Sequence, residues 1–143
     1  MRRAVGLSVL MLFVVSCATS EVARDDAKGR TVVVTMRDNH FEPDRLEVRR
    51  GETIAFRFVN RGRVQHDAFL GDEAAQQRHE AETAESEEDH GDGHAATDAD
   101  AITVKPGDSG RLTHTFDSRG TILIGCHEPG HYDDGMVVKI TVG

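Results

Sequence analysis

From Thr31 onward, hydrophobic and polar positions alternate with a period of two. Val32, Val34 and Met36 alternate with Thr31, Val33 and Thr35, and Ile54, Phe56 and Phe58 alternate with Thr53, Ala55 and Arg57. A strand sends successive side chains to opposite faces, so the pattern predicts half-buried strands. Leu46 and Val48 follow Pro43 in the same manner. Further short strands are predicted over Val64 to Leu70, Ala101 to Lys105, Arg111 to Phe116, Thr121 to Cys126 and Met136 to Val142. Arg50-Gly51-Glu52, Asn60-Arg61-Gly62 and Pro106-Gly107-Asp108 supply turn chemistry between them. About eight short strands with glycine-rich turns predict an all-β fold, a Greek-key β-sandwich.

Two segments depart from this alternation. At the N-terminus, Arg2 and Arg3 precede an unbroken apolar and small stretch from Ala4 to Val15, which ends in Val14-Val15-Ser16-Cys17. The stretch is shorter than the roughly 20 residues needed to span a bilayer, and it suits the apolar region of an export signal. Its ending resembles a bacterial lipobox. That resemblance implies a lipoprotein signal peptide over residues 1–16, with Cys17 as the lipid attachment point at the extracytoplasmic face of the membrane, periplasmic or cell-surface; an ordinary cleaved signal with an incidental cysteine is the alternative. Residues 17–30 are polar and aperiodic and read as a tether reaching on the order of 20 Å. The working domain is then 31–143.

The second departure is residues 72–100. Eleven Asp/Glu stand there against Arg78 alone, a local charge of −10. The whole chain carries −8, and loss of Arg2 and Arg3 would bring it to −10, so the sandwich itself sums to zero. The first part of this insert, Asp72 to about Glu85, has the Ala/Glu/Gln content of a short helix, and the rest has that of a solvated loop. His79, His90 and His94 lie among these carboxylates and are candidate secondary metal sites, set against the plainer reading of a solvated acidic segment.

With 143 residues there is room for one domain with a core. The negative balance and the lack of a Lys/Arg cluster argue against nucleic acid as a partner. Two cysteines, Cys17 and Cys126, cannot make a disulfide framework, and the first lies outside the predicted fold.

The densest chemistry lies between Cys126 and Met136. Cys126 shares parity with Ile122 and Ile124, and Met136 with Val138, Ile140 and Val142, so both sulfurs are expected on the apolar faces of their strands. His131 lies midway along the connecting loop. His66 shares parity with Val64, Ala68 and Leu70 and is expected to face inward from another strand. One thiolate, two imidazoles and one thioether can therefore converge. A His2Cys set with a weak axial Met is the blue-copper arrangement, in which sulfur favours Cu(I) and imidazole tolerates Cu(II). Zinc accepts the same nitrogens and thiolate but gains little from a thioether.

At this point the chain resembles the cupredoxins, the plastocyanin and azurin family. The likeness rests on Asn39, Phe41 and Pro43, on Leu46-Glu47-Val48 and Gly51-Glu52-Thr53-Ile54, on Asn60-Arg61-Gly62 ahead of His66, and on a C-x4-H-x4-M loop similar to that of auracyanins. The resemblance implies one type 1 copper ion held by His66, Cys126, His131 and Met136. Where many members place asparagine after the first histidine ligand, this chain has Asp67, which can accept backbone hydrogen bonds but donates none when ionised. His127 has the opposite parity to Cys126 and is expected at the surface, with an alternate ligand role as the other reading; His114 is expected at the core or its rim.

The expected function is an extracytoplasmic, lipid-anchored, monomeric carrier of single electrons that docks to redox partner proteins. The alternative is copper tolerance or delivery, using the same site and the insert, whose start at Gly71-Asp72-Glu73-Ala74-Ala75-Gln76-Gln77 resembles that of bacterial cupredoxins associated with copper tolerance. An enzyme is not expected, because a copper oxidase or nitrite reductase needs a second centre and no His-x-His pair exists to build one.

Overall fold

Two mixed sheets carry the alternating pattern. The computed structural model describes residues 29–87 and 100–143. In chain order the elements are β1 (Arg30–Arg37), β2 (His40–Glu42), β3 (Arg45–Val48), β4 (Thr53–Asn60), β5 (His66–Gly71), α1 (Glu73–Glu87), β6 (Ala101–Val104), β7 (Ser109–Thr115), β8 (Gly120–Gly125) and β9 (Val137–Val142). One sheet runs β2-β1-β4-β7 and the other β3-β9-β8-β5-β6. The pairs β1/β4 and β3/β9 are parallel and the remaining ladders antiparallel. The chain thus passes repeatedly from one sheet to the other, as a sandwich with crossed connections requires.

The inward half of the alternation fills the space between the sheets. Val34, Met36, Ile54, Phe56 and Phe58 join Ala68, Leu70, Ile124, Val138 and Ile140 in one buried cluster. Phe56 stacks on Phe58 at 6.0 Å and meets Phe116 edge-on at 6.3 Å between ring centroids. This apolar burial is the main force holding the sheets together.

Nine strands form among the described residues where about eight are expected from alternation. The additional one is β2, three residues long and too short to show a period of its own. β5 begins at His66, two residues later than predicted, and Val64 is 46% exposed instead of inward. The cause is local: Asn60, buried at the end of β4, donates its side-chain amide to the carbonyls of Val64 and Val104 at 2.8 Å each and accepts from Gly62 N–H at 2.8 Å, so the segment folds into a loop.

The predicted helix forms as α1. Asp72 caps it, its Oδ1 accepting from Ala75 N–H at 2.8 Å. The export segment, the tether, Cys17, His90 and His94 lie outside the described residues.

Candidate metal centre

Three strand ends meet at one pole of the sandwich. His66 opens β5, Cys126 follows β8, and Met136 precedes β9. All three are wholly buried. The loop from Cys126 to Met136 is closed by its own backbone: Cys126 N–H bonds to Met136 O at 3.1 Å, Met136 N–H to His131 O at 2.9 Å, and His131 N–H to Glu128 O at 2.9 Å. Gly130 and Gly135 take φ of +80° and +88° in this loop, a region that side chains with a Cβ rarely adopt.

The result is a convergent donor set. Donor atoms of His66, Cys126 and His131 lie within 4.8 Å of one another. The Nδ1 atoms of His66 and His131 face Cys126 Sγ at 3.8 and 3.5 Å, and the two rings are 5.1 Å apart. His131 is partly exposed and the other two are buried. Met136 is tied to Cys126 and His131 by the backbone bonds above, and its side chain is buried.

The local chemistry fits a soft metal ion. Among the described residues, His66 Nε2 is buried without a hydrogen-bond partner, with the Asp38 carboxylate 4.0 Å away, and Nδ1 meets only sulfur. A buried Nδ1 that faces only a sulfur atom at 3.8 Å is poorly satisfied, and a metal ion held between the two would take it up. Burial, and next the neighbouring His131, push the His66 pKa down, which favours the neutral, ligating form. Burial also pushes the Cys126 thiol far up, with the Asp67 carboxylate adding to the effect. A metal taken up here displaces that proton, so uptake is linked to proton release.

Asp67 and His127 lie just behind the donors. Burial works to raise the Asp67 carboxyl, but the neighbouring His79 ring and Cys126 thiol and the bond from the His127 backbone N–H outweigh it and hold the carboxyl below its usual range. Asp67 Oδ1 accepts His127 N–H at 2.6 Å.

His127 is not at the surface, contrary to expectation from its parity. The ring does point away from the donors, but α1 covers it: Nδ1 is held by the Glu80 carboxylate, Nε2 lies 2.7 Å from Gln76 Oε1, and Tyr132 stacks on the ring at 4.7 Å. His114, half-buried, bonds Asp100 Oδ1 at 3.1 Å and packs edge-on against Phe116. His79 does not join a metal-sized cluster among the described residues; it stacks on Phe69 at 4.1 Å and sits 3.9 Å from Asp67 Oδ2. The contacts made by Gln76, Glu80, Asn60 and Asp38 escape a sequence reading, because polar residues brought together from distant segments leave no periodic signal.

The fold and this pole together define a β-sandwich with a His/Cys/His donor set. A cupredoxin-like domain profile matches residues 7–88, a span that includes His66 and ends ahead of the Cys126 loop. The chain belongs to the cupredoxin family. It is 32% identical over 138 residues to the copper-resistant cuproprotein CopI of Pseudomonas aeruginosa, covering 80% of this chain and 76% of that protein. It is 38% identical over 121 residues to CopI of Rubrivivax gelatinosus, covering 82% and 70%. Among solved structures, dithionite-reduced auracyanin from the photosynthetic bacterium Roseiflexus castenholzii superposes with a TM-score of 0.67 at 23% identity, over 80% of this chain and 98% of that one.

Proposed function

We propose that this chain binds one copper ion at His66, Cys126, His131 and Met136 and serves as an extracytoplasmic carrier of single electrons. The observation that carries the reading is the pair of imidazole Nδ1 atoms aimed at Cys126 Sγ at 3.8 and 3.5 Å. Bound copper would supply one-electron exchange between Cu(I) and Cu(II). The chain's own residues do the rest. Cys126 and Met136 offer sulfur from the buried interior, His66 offers a neutral nitrogen, and the loop bonds keep the donors in place. His131 is the donor of the three that reaches the surface, so redox partners would approach there. The reading includes no enzymatic step.

A second reading, copper tolerance or delivery, is favoured by the names of the relatives from Pseudomonas aeruginosa and Rubrivivax gelatinosus and by the acidic insert. Membrane attachment through a lipid on Cys17 completes the proposal, and Cys17→Ala should move the protein from the membrane to the soluble fraction. The functional test is to add Cu(II) to the purified chain and record the visible spectrum and voltammetry. An intense thiolate-to-copper band with a reversible one-electron wave is expected, and a colourless complex would overturn the proposal.

A further inference from the structure

Helix α1 lies against the sandwich without an apolar stripe. Among the helix residues with described side chains, 73–83, the inward-facing positions are Ala75, Gln76, His79, Glu80 and Thr83, and none of these residues belongs to the hydrophobic core. Apolar burial, which docks most surface helices, cannot hold this one in place.

Gln76 is its buried polar anchor, beside the His79 ring stacked on Phe69. It is wholly buried. Its Nε2 donates to the carbonyls of Phe69 in β5 at 3.0 Å and Leu123 in β8 at 3.1 Å, with Gly71 O at 3.4 Å. With the amino group committed to carbonyls, Oε1 is fixed as the acceptor, so His127 Nε2 carries the proton and donates it at 2.7 Å. Glu80, one turn further on, holds the other ring nitrogen. Tyr132 covers one face of the ring at 4.7 Å and 14°. An imidazole that contacts no metal donor is thereby fixed at both nitrogens.

Gly125 supplies an independent sign. A Cβ at this position would lie 2.5 Å from Gln76 Oε1 and 2.7 Å from Tyr132 Cε2. The residue immediately before Cys126 therefore has to lack a side chain for Gln76 and Tyr132 to close over it.

We propose that Gln76 is a positioning residue for the metal centre: through it, α1 clamps residues 125–127 from outside and fixes the backbone that carries the Cys126 sulfur. Asp67 also holds this backbone, through His127 N–H. The acidic insert then has a structural task at the centre whatever its remaining residues do. The inference rests on Cys126 being a metal ligand.

The test uses the chain with Cys17→Ala, which leaves Cys126 as the one thiol of the protein's two cysteines. Gln76→Leu and Gly125→Ala are compared with this parent and with Asp72→Ala, which removes the cap of α1 but none of the partners of Gln76. Without metal, the rate of Cys126 reaction with a thiol reagent at fixed pH is read. With Cu(II), the position and width of the thiolate band are read. Gln76→Leu and Gly125→Ala should each react at least tenfold faster than the parent and show a shifted, broadened band, while Asp72→Ala stays near the parent in both. Parent-like rate and band in Gln76→Leu would overturn the proposal, as would equal changes in Asp72→Ala, which would make α1 a mere cover. Should Gln76→Leu not fold, Gly125→Ala decides in the same way. A parent that binds copper without a visible band would defeat the copper reading itself, and the thiol rates would still judge the clamp.

Discussion

Asp67 Oδ1 accepts the backbone N–H of His127 at 2.6 Å, joining the residue after one histidine donor to the residue after the cysteine. Two strands of the centre are tied by this bond, and the same carboxylate raises the thiol pKa of Cys126. Asp67→Asn keeps an acceptor for His127 N–H and removes the charge. The thiol of the metal-free protein should then titrate at lower pH, and the potential of the copper-loaded protein should rise, because a nearby negative charge favours Cu(II). Thiolate absorbance against pH and voltammetry check both arms. Asp67→Ala deletes the acceptor as well and should cost about 1–3 kcal/mol in urea unfolding.

Met136 is wholly buried, and its main chain is bonded to both Cys126 and His131. Met136→Leu nearly conserves volume and should cost only about 1 kcal/mol of stability. Copper should still bind, with a raised potential, since a thioether donor to Cu(II) is lost. An unchanged potential would show that Met136 is not an axial donor. Cys126→Ser should abolish the visible band while the sandwich stays folded.

Far from the metal pole, Glu52 accepts from Arg49 N–H at 2.8 Å and from Arg30 Nε at 3.0 Å. The Arg49 N–H, opposed by burial and aided by Arg30, holds its pKa below the usual 4.5. The stability gained is present above that usual value and is lost as pH falls through the lower, folded value. Glu52→Gln should therefore weaken the protein by about 1 kcal/mol at neutral pH, and the gap to the parent should close on acidification. Thermal unfolding across the acid range measures it.

Deletion of residues 72–100 separates the two functional readings. An electron carrier should bind one copper per chain with or without the insert, and copper analysis after dialysis counts it. A second copper that disappears with the insert would move the function to copper handling. In either case the clamp formed by Gln76 is lost, so a shifted band is expected in the deleted chain.

Most of the centre was legible in the residues themselves. Parity alone directs Cys126, Met136 and His66 inward, because β-strand geometry leaves each side chain two directions and the apolar neighbours choose between them. The same argument failed for Val64, where Asn60 bends the chain into a loop before the strand begins. It was half right for His127. Parity turns the ring away from the donors, but whether an outward ring meets water or another element is no property of its strand.

What the sequence determines by itself is thus the local and periodic part: the alternating strands, the short helix beginning near Asp72, the turns, and the donor types with their spacing. The tertiary structure alone decides which polar residues become buried. Gln76 sits in a stretch rich in Ala, Glu and Gln with no apolar face, so nothing periodic marks it. It matters because α1 folds back over β5 and β8, where two carbonyls and a histidine nitrogen need a partner. Hydrophobic order is written along the chain at a short repeat, whereas a buried hydrogen-bond network is assembled from distant segments whose meeting the fold arranges.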